Sequence, residues 1–138
     1  MHFTHEYRSL VKAEQIDLYG HVNNTQYLQI LEAARWDWTE QFGGSRELVK
    51  ELGVGPIVIE IQIQFRRELK VGDEIFIKSQ REFPRKVYLL EQEIFNAKNE
   101  LVCKAKFKMG FMNLETRRLV DLPPKWRDVF EEKNQVRV

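Results

Sequence analysis

Cysteine is almost missing. Cys103 stands alone in 138 residues, which excludes an internal disulfide and sets no metal cluster. No apolar run is long enough to span a bilayer. The opening MHFTHEYRSL lacks the apolar core of a secretory signal. An excess of one charge is missing too: 22 basic residues face 21 acidic ones, for a net charge of +1. That balance argues against a general nucleic-acid binder, which carries a strongly basic composition or face. GxSxG, Walker and GxGxxG signatures are absent, and so are repeats, linkers and low-complexity blocks. The expectation is one cytoplasmic domain over residues 1–138, built on one core.

What is present supports that core: 43% of residues are hydrophobic and 12% aromatic. Residues 3–13 are predicted to form a first strand. From Asn24 to about Phe42 the pattern is helical. Tyr27, Ile30, Leu31, Ala34, Trp38 and Phe42 fall on one face at ~100° per residue, and Leu28 widens the stripe. Asn23 or Asn24 is the N-cap candidate, and Gly43-Gly44 the stop. Residues 45–52 can add a short helix.

After Pro56 the period becomes two. Ile57, Ile59, Ile61, Ile63 and Phe65 alternate with Val58, Glu60, Gln62 and Gln64, which predicts a strand. Val71-Gly72-Asp73 reads as a turn, 74–82 as a strand, and Phe83-Pro84-Arg85 as a break. Lys86 to Phe95 is the next strand, and residues 96–100 a turn. The last long strand alternates Leu101, Cys103, Ala105, Phe107, Met109 and Phe111 with Lys104, Lys106 and Lys108, the latter three read as a solvated face. A short amphipathic helix with Trp126, Val129 and Phe130 follows, and residues 131–138 are expected to fray. The fold class is α+β: at least four strands in hairpin-like succession, an antiparallel sheet packed on one long helix. Ala33 and Trp36 lie outside the helix's main stripe, so a second subunit is expected to cover that side.

Chemistry concentrates in DLYGHVNN, residues 17–24, just before the helix. Asp17 alone reads as an Asx-turn carboxylate, and His21 alone as a hydrogen-bonded surface or cap residue. Their combination with a helix entrance reads differently. A helix N-terminus offers free N–H groups and partial positive charge, which can polarise a carbonyl. Gly20 lets the chain fold back, so that Asp17 and backbone donors flank one carbonyl. Acyl transfer to water needs that pairing of a base or nucleophile with charge stabilisation. A thioester suits so sparse a site, because a thiolate leaves with little help from an acid.

Asp17, Gly20, His21, Val22, Asn23, Asn24, Tyr27 and Leu28, followed by Glu32-Ala33-Ala34-Arg35, resemble the motif of the 4-hydroxybenzoyl-CoA thioesterase family of hotdog-fold acyl-CoA thioesterases. The resemblance extends more loosely over residues 5–120. It implies a hotdog fold, an antiparallel sheet of about five strands wrapped around one long central helix. It also implies homodimers or homotetramers, with sites at the dimer interface. Asp17 would act as general base or nucleophile, and the Asn24 N–H would polarise the thioester carbonyl. His21 would line or assist the site. Tyr19 and Gly20 share its loop, Tyr19 with a place in the acyl pocket, and Tyr27 belongs to the motif. Arg85 and Lys86 match a basic pair that contacts CoA phosphates, although Val87 replaces a serine common in the family. No metal or organic cofactor is implied.

Glu32 is the rival carboxylate, expected to be in a structural ion pair with Arg35 at i, i+3. Arg66, Arg67, Arg81, Arg85 and Lys86 are a candidate phosphate cluster. His2 and His5 lack a convincing third metal ligand. Cys103, Trp36 and Trp38 read as core or interface, with an acyl-pocket role for the tryptophans as the alternative. The expected activity is hydrolysis of an acyl-CoA to acid and CoA. The rivals are a thioesterase acting on acyl carrier protein and a hotdog domain that binds acyl-CoA without cleaving it.

Overall fold

Asn23 starts the long helix. Its backbone is extended, and its side-chain oxygen accepts the Thr25 N–H, so one of the orphan donors of the first turn is satisfied. The computed structural model describes residues 4–130. His2, the expected strand start at residue 3 and the 131–138 tail lie outside them. The described elements are β1 (His5–Leu10), α1 (Asn24–Glu40), α2 (Arg46–Leu52), β2 (Val54–Phe65), β3 (Glu74–Arg81), β4 (Val87–Asn96), β5 (Leu101–Asn113) and α3 (Pro124–Phe130). A 3-10 turn at Ala13–Gln15 ends the first strand region earlier than expected.

The apolar stripe of α1 is buried as its spacing predicts: Tyr27, Ile30, Leu31, Ala34 and Trp38, joined by Thr39. Phe42 lies past the helix end and is half-buried. Ser45 caps α2 by accepting from the Leu48 N–H, and Gly53 closes it in the left-handed region at φ 64°.

The sheet is antiparallel throughout, in the order β1-β3-β4-β5-β2. This corrects the expected hairpin succession. β2 and β3 are not neighbours; β2 pairs with β5 at the far edge. The chain between them crosses the end of the sheet, pinned by fully buried Leu69, whose carbonyl accepts the Val22 N–H. β2 also begins before Pro56, which an edge strand tolerates. A bulge between Val58 and Glu60 breaks its uniform alternation. Val58 is opposite Met109, whereas Ile61, Ile63 and Phe65 are opposite Phe107, Ala105 and Cys103. Ile57 and Ile59 therefore do not continue the inner face of Ile61 and Ile63.

The inner face of the sheet carries Ile77, Ile94, Cys103, Ala105, Phe107 and Phe111, all buried. Each large side chain so buried stabilises the fold by roughly 1.5–3 kcal/mol. Helix α1 comes nearest to β1 and β3, and its Tyr27 meets Phe65 of β2. The short α3 closes one end, with Trp126 donating its indole N–H to the Val54 carbonyl at 2.8 Å. On the outer face Lys104 and Lys106 stand opposite Glu93 and Glu91, as expected of a solvated surface. Among the described residues no helix is long and apolar enough to cross a membrane.

Candidate active site

The DLYGHVNN loop is a tight turn stitched by its own backbone. The Gly20 N–H donates to the Asp17 carbonyl, and the Asp17 N–H to the His21 carbonyl. Gly20 takes φ +83°, a conformation that a side chain would strain. Ile16 and Val22 form a bridge across the base of the turn.

The half-buried Asp17 carboxylate is held at both oxygens. Oδ1 accepts the Tyr19 N–H at 2.9 Å, an Asx-turn contact. Oδ2 accepts from Asn23 Nδ2 at 3.2 Å. The same Asn23 caps α1: its Oδ1 accepts from Thr25 N at 2.9 Å and from Thr25 Oγ1 at 2.6 Å. The turn carboxylate is thus also tied to the helix entrance. The Gln26 N–H goes to the Asn23 carbonyl. Among the described residues the Asn24 N–H donates to no protein acceptor.

A cleft of about 350 Å³ opens at this helix end, lined by His21, Asn24, Tyr27, Phe65, Arg66 and Arg67, with Val22 and Glu68. His21 Nδ1 lies 3.1 Å from the Val22 carbonyl oxygen. A carbonyl only accepts, so Nδ1 carries a proton in this contact. Buried Tyr27 meets Phe65 edge-on at 5.0 Å. Its phenol is pushed up to about 12, by burial first and by Cys103 and Glu68 next, so it stays a neutral O–H. Arg67 pairs with Glu100 at 3.3 Å, and Arg66 donates to the neutral Gln64.

Other expected site residues lie elsewhere. Tyr19 is 75% exposed and stacks on His21 at 6.0 Å, outside the cleft lining. Arg85 and Lys86 are exposed between β3 and β4, with Arg85 3.9 Å from Glu82. Gly110 on β5 faces Val87, whereas Cys103 faces Phe65 at the cleft. Seven residues at ~3.3 Å each separate those levels by about 23 Å. The five-residue basic cluster is therefore corrected: Arg66 and Arg67 hold one end of the sheet, Arg85 and Lys86 the other. Arg81 lies between, its guanidinium 3.6 Å from the centre of the Trp38 ring.

Glu32 and Arg35 are a second correction. They form no ion pair among the described residues. Arg35 turns inward, donating to Gln92 Oε1 at 3.0 Å and resting 4.5 Å from the centre of the Phe107 ring. Both residues line a chamber of about 330 Å³ further along α1, with Trp36, Trp38, Tyr88 and Met109 among its walls. Its polar hub, Gln92, was not legible in the sequence; a glutamine at an inner position of β4 was the only signal. His5, read there as a weak metal candidate, hydrogen-bonds Asp37 at 2.8 Å. No group of three metal-ligating side chains occurs among the described residues. Cys103 is buried in the core, its thiol pushed up to about 12 by burial.

Comparison with known proteins identifies the family. Residues 11–130 match the thioesterase-like superfamily. The long-chain acyl-CoA thioesterase FadM of Escherichia coli (strain K12) is 30% identical over 124 residues, covering 88% of this chain and 93% of its own. A probable thioesterase of Escherichia coli, YbaW, superposes with a TM-score of 0.75 at 27% identity, covering 96% of this chain and 98% of the other. A Staphylococcus aureus protein solved in complex with CoA superposes with a TM-score of 0.86 at 20% identity, covering 100% and 90%. The chain belongs to the thioesterase-like superfamily and is a hotdog-fold thioesterase.

Proposed function

We propose that this chain hydrolyses acyl-CoA thioesters with Asp17 as base or nucleophile and the Asn24 N–H as the carbonyl's hydrogen-bond donor. The observation that carries the reading is the pair of hydrogen bonds made by the Asn23 amide, which ties Asp17 to the entrance of α1 beside the cleft. A thioester oxygen at Asn24 would gain negative charge in the transition state, where the helix end stabilises it. Each Asp17 oxygen keeps a lone pair beyond its present bond, so it can take a proton from water or attack the carbonyl carbon itself. The bond to sulfur then breaks and CoA leaves as thiolate; on the nucleophilic route water next cleaves the acyl–Asp17 anhydride, which frees the acid and restores the carboxylate. His21 and Tyr27 frame the cleft, and Gly20 makes the turn; Tyr19 reaches substrate in this reading only from outside the cleft.

The working unit in this reading is a homodimer. Arg85 and Lys86 lie about 23 Å along the sheet from the level of the cleft. A second copy can bring its own pair to the CoA phosphates. The β2 edge supports this: it is 12 residues long and exposes Val58, Ile59, Ile61 and Phe65. Such an edge invites pairing with another strand. A cytoplasmic location belongs to the same reading, which the unpaired, buried Cys103 suits.

The test is thiol release from short, long and aromatic acyl-CoAs, comparing native protein with Asp17→Asn. The expected result is cleavage of at least one ester and loss of most of the rate in the variant, with its fold intact by circular dichroism. Binding without cleavage would leave a non-catalytic acyl-CoA module or an acyl carrier protein substrate. A fully active variant would move the search to Glu32.

A further inference from the structure

The inner face of the sheet is not wholly apolar. At one level His5 stands opposite Ser79, and Ser79 opposite Gln92. Gln92 is fully buried. Its amide nitrogen donates to Ser79 Oγ at 3.0 Å and to the Leu31 carbonyl at 3.1 Å, and its oxygen accepts from Arg35. Both amide hydrogens and one lone pair of this glutamine are used, and together they hold the Arg35 guanidinium in the wall of the chamber.

Arg35 has five N–H donors, one of which meets Gln92. No carboxylate lies within ion-pair distance of it among the described residues. The guanidinium is half-buried, and the exposed Glu32 carboxylate in the same wall acts on it from beyond ion-pair distance. The N–H groups that Gln92 leaves unused can therefore take an anionic acceptor. The remaining walls include Trp38, Tyr88, Leu90 and Met109, with Glu32 and Arg81 as the other charged residues. The chamber is therefore largely apolar along its sides, with the Arg35 guanidinium set in one wall.

A furrow leads to it from the cleft. Val58, Ile61 and Phe65 share a face of β2 and are exposed, so that face stands open beside the helix. Phe65 lines the cleft, Val58 lines the chamber, and Ile63 and Ile61 lie between them on the same face. Gln92 touches both Leu31 and Arg35, which sets the guanidinium near the level of Leu31. That is about 10 Å along the axis from Asn24. An extended chain gains about 1.2 Å per bond, so about eight to ten bonds span the distance.

Resting on the thioesterase reading, we propose that the chamber is an acyl subsite for a chain of about ten carbons whose far end is a carboxylate, received by Arg35. A bare alkyl end would leave the remaining guanidinium N–H groups without an acceptor, so it should be the poorer substrate.

Two measurements test this. The first compares kcat/KM for the mono-CoA ester of decanedioic acid with that for decanoyl-CoA. The native ratio should favour the carboxylated ester about tenfold or more, and Arg35→Gln should abolish that preference. The second measures binding of free decanedioate and free decanoate by calorimetry, with no hydrolysis involved. The diacid should bind more tightly, and Arg35→Gln should remove the difference. Should Arg35→Gln fail to fold, Val58→Phe decides, because it narrows the chamber without altering its charges; it must weaken diacid binding about tenfold. Diacid binding that depends on Arg35 with no ester cleaved would sink the thioesterase reading and leave the subsite standing. Equal or better cleavage of decanoyl-CoA, with a ratio unmoved by Arg35→Gln, would overturn the subsite and leave the thioesterase. No diacid binding by the native protein, as when a second copy fills the chamber, overturns it as well.

Discussion

Asn23 donates from Nδ2 to Asp17 Oδ2 at 3.2 Å while its Oδ1 accepts the Thr25 N–H at 2.9 Å. One amide thus fixes a carboxylate and starts a helix, and the two tasks use opposite ends of the group. They can be separated. Asn23→Asp keeps an acceptor for the cap but sets a carboxylate against Asp17. Its melting temperature should stay close to native, because aspartate caps as well as asparagine, while kcat falls ~100-fold from the displaced, repelled Asp17. Asn23→Ala should lose the rate and also ~1 kcal/mol of stability. Calorimetry and thiol release read the two effects. Native activity in Asn23→Asp would show that the Asn23–Asp17 bond has no catalytic part.

His5 makes stability depend on pH in a defined direction. Its ring is buried, stacks on Trp38 at 5.4 Å and bonds Asp37 through Nε2. Burial holds its pKa below the ordinary 6.5, against the raising pull of Asp37. Nδ1 has no partner, which fits a neutral ring with its proton on Nε2. The unfolded chain therefore takes up the proton first as pH falls. The contribution of His5 is full above pH 6.5 and is lost as pH drops below it toward the depressed folded value. Urea unfolding between pH 8 and 5 should show native stability falling more steeply than that of His5→Phe. Parallel curves would contradict the assignment.

The apolar β2 edge carries the dimer reading. Ile59 is 41% exposed at the bulge of that strand. Ile59→Lys places a charge where a second β2 would pair, a device that edge strands use against association. Analytical ultracentrifugation should find the native protein at a multiple of its 16.6 kDa chain mass and the variant shifted toward the single chain. A native protein sedimenting as one chain would remove the partner from the site, and with it the route by which Arg85 and Lys86 reach CoA.

Local pattern made the helix and most strands legible in the sequence. Tyr27, Ile30, Leu31, Ala34 and Trp38 recur at helical spacing, and their burial follows from it. The bulge at Ile59 was hidden because isoleucines continue on both sides of it, so the alternation reads unbroken while the backbone gains a residue. The separation of Arg66 and Arg67 from Arg85 and Lys86 was hidden for a different reason. It depends on β2 crossing to the far edge beside β5, and pairing between distant strands leaves no mark on local spacing. The inward turn of Arg35 depends on Gln92, which is 57 residues away in the chain. The i, i+3 rule that suggested Glu32 as its partner describes exposed helix faces, where no such buried acceptor competes.

The sharpest test of the helix entrance alters one backbone atom. Asn24 is the first residue of α1, where proline is tolerated because its missing N–H is an orphan in any case. The preceding residue must be extended, and Asn23 already is, at φ −65° and ψ 142°. Asn24→Pro should therefore fold, with its melting temperature within a few degrees of native. It removes an N–H that the Asn23 cap leaves without an acceptor. Loss of a donor of this kind costs ~3 kcal/mol in the transition state, so kcat should fall ~100- to 1000-fold. KM should change little, because the bond strengthens only as the carbonyl oxygen gains charge. Rapid-mixing kinetics on the best ester from the acyl-CoA panel separates the two constants. A folded Asn24→Pro protein with undiminished kcat would place carbonyl stabilisation somewhere other than the entrance of α1.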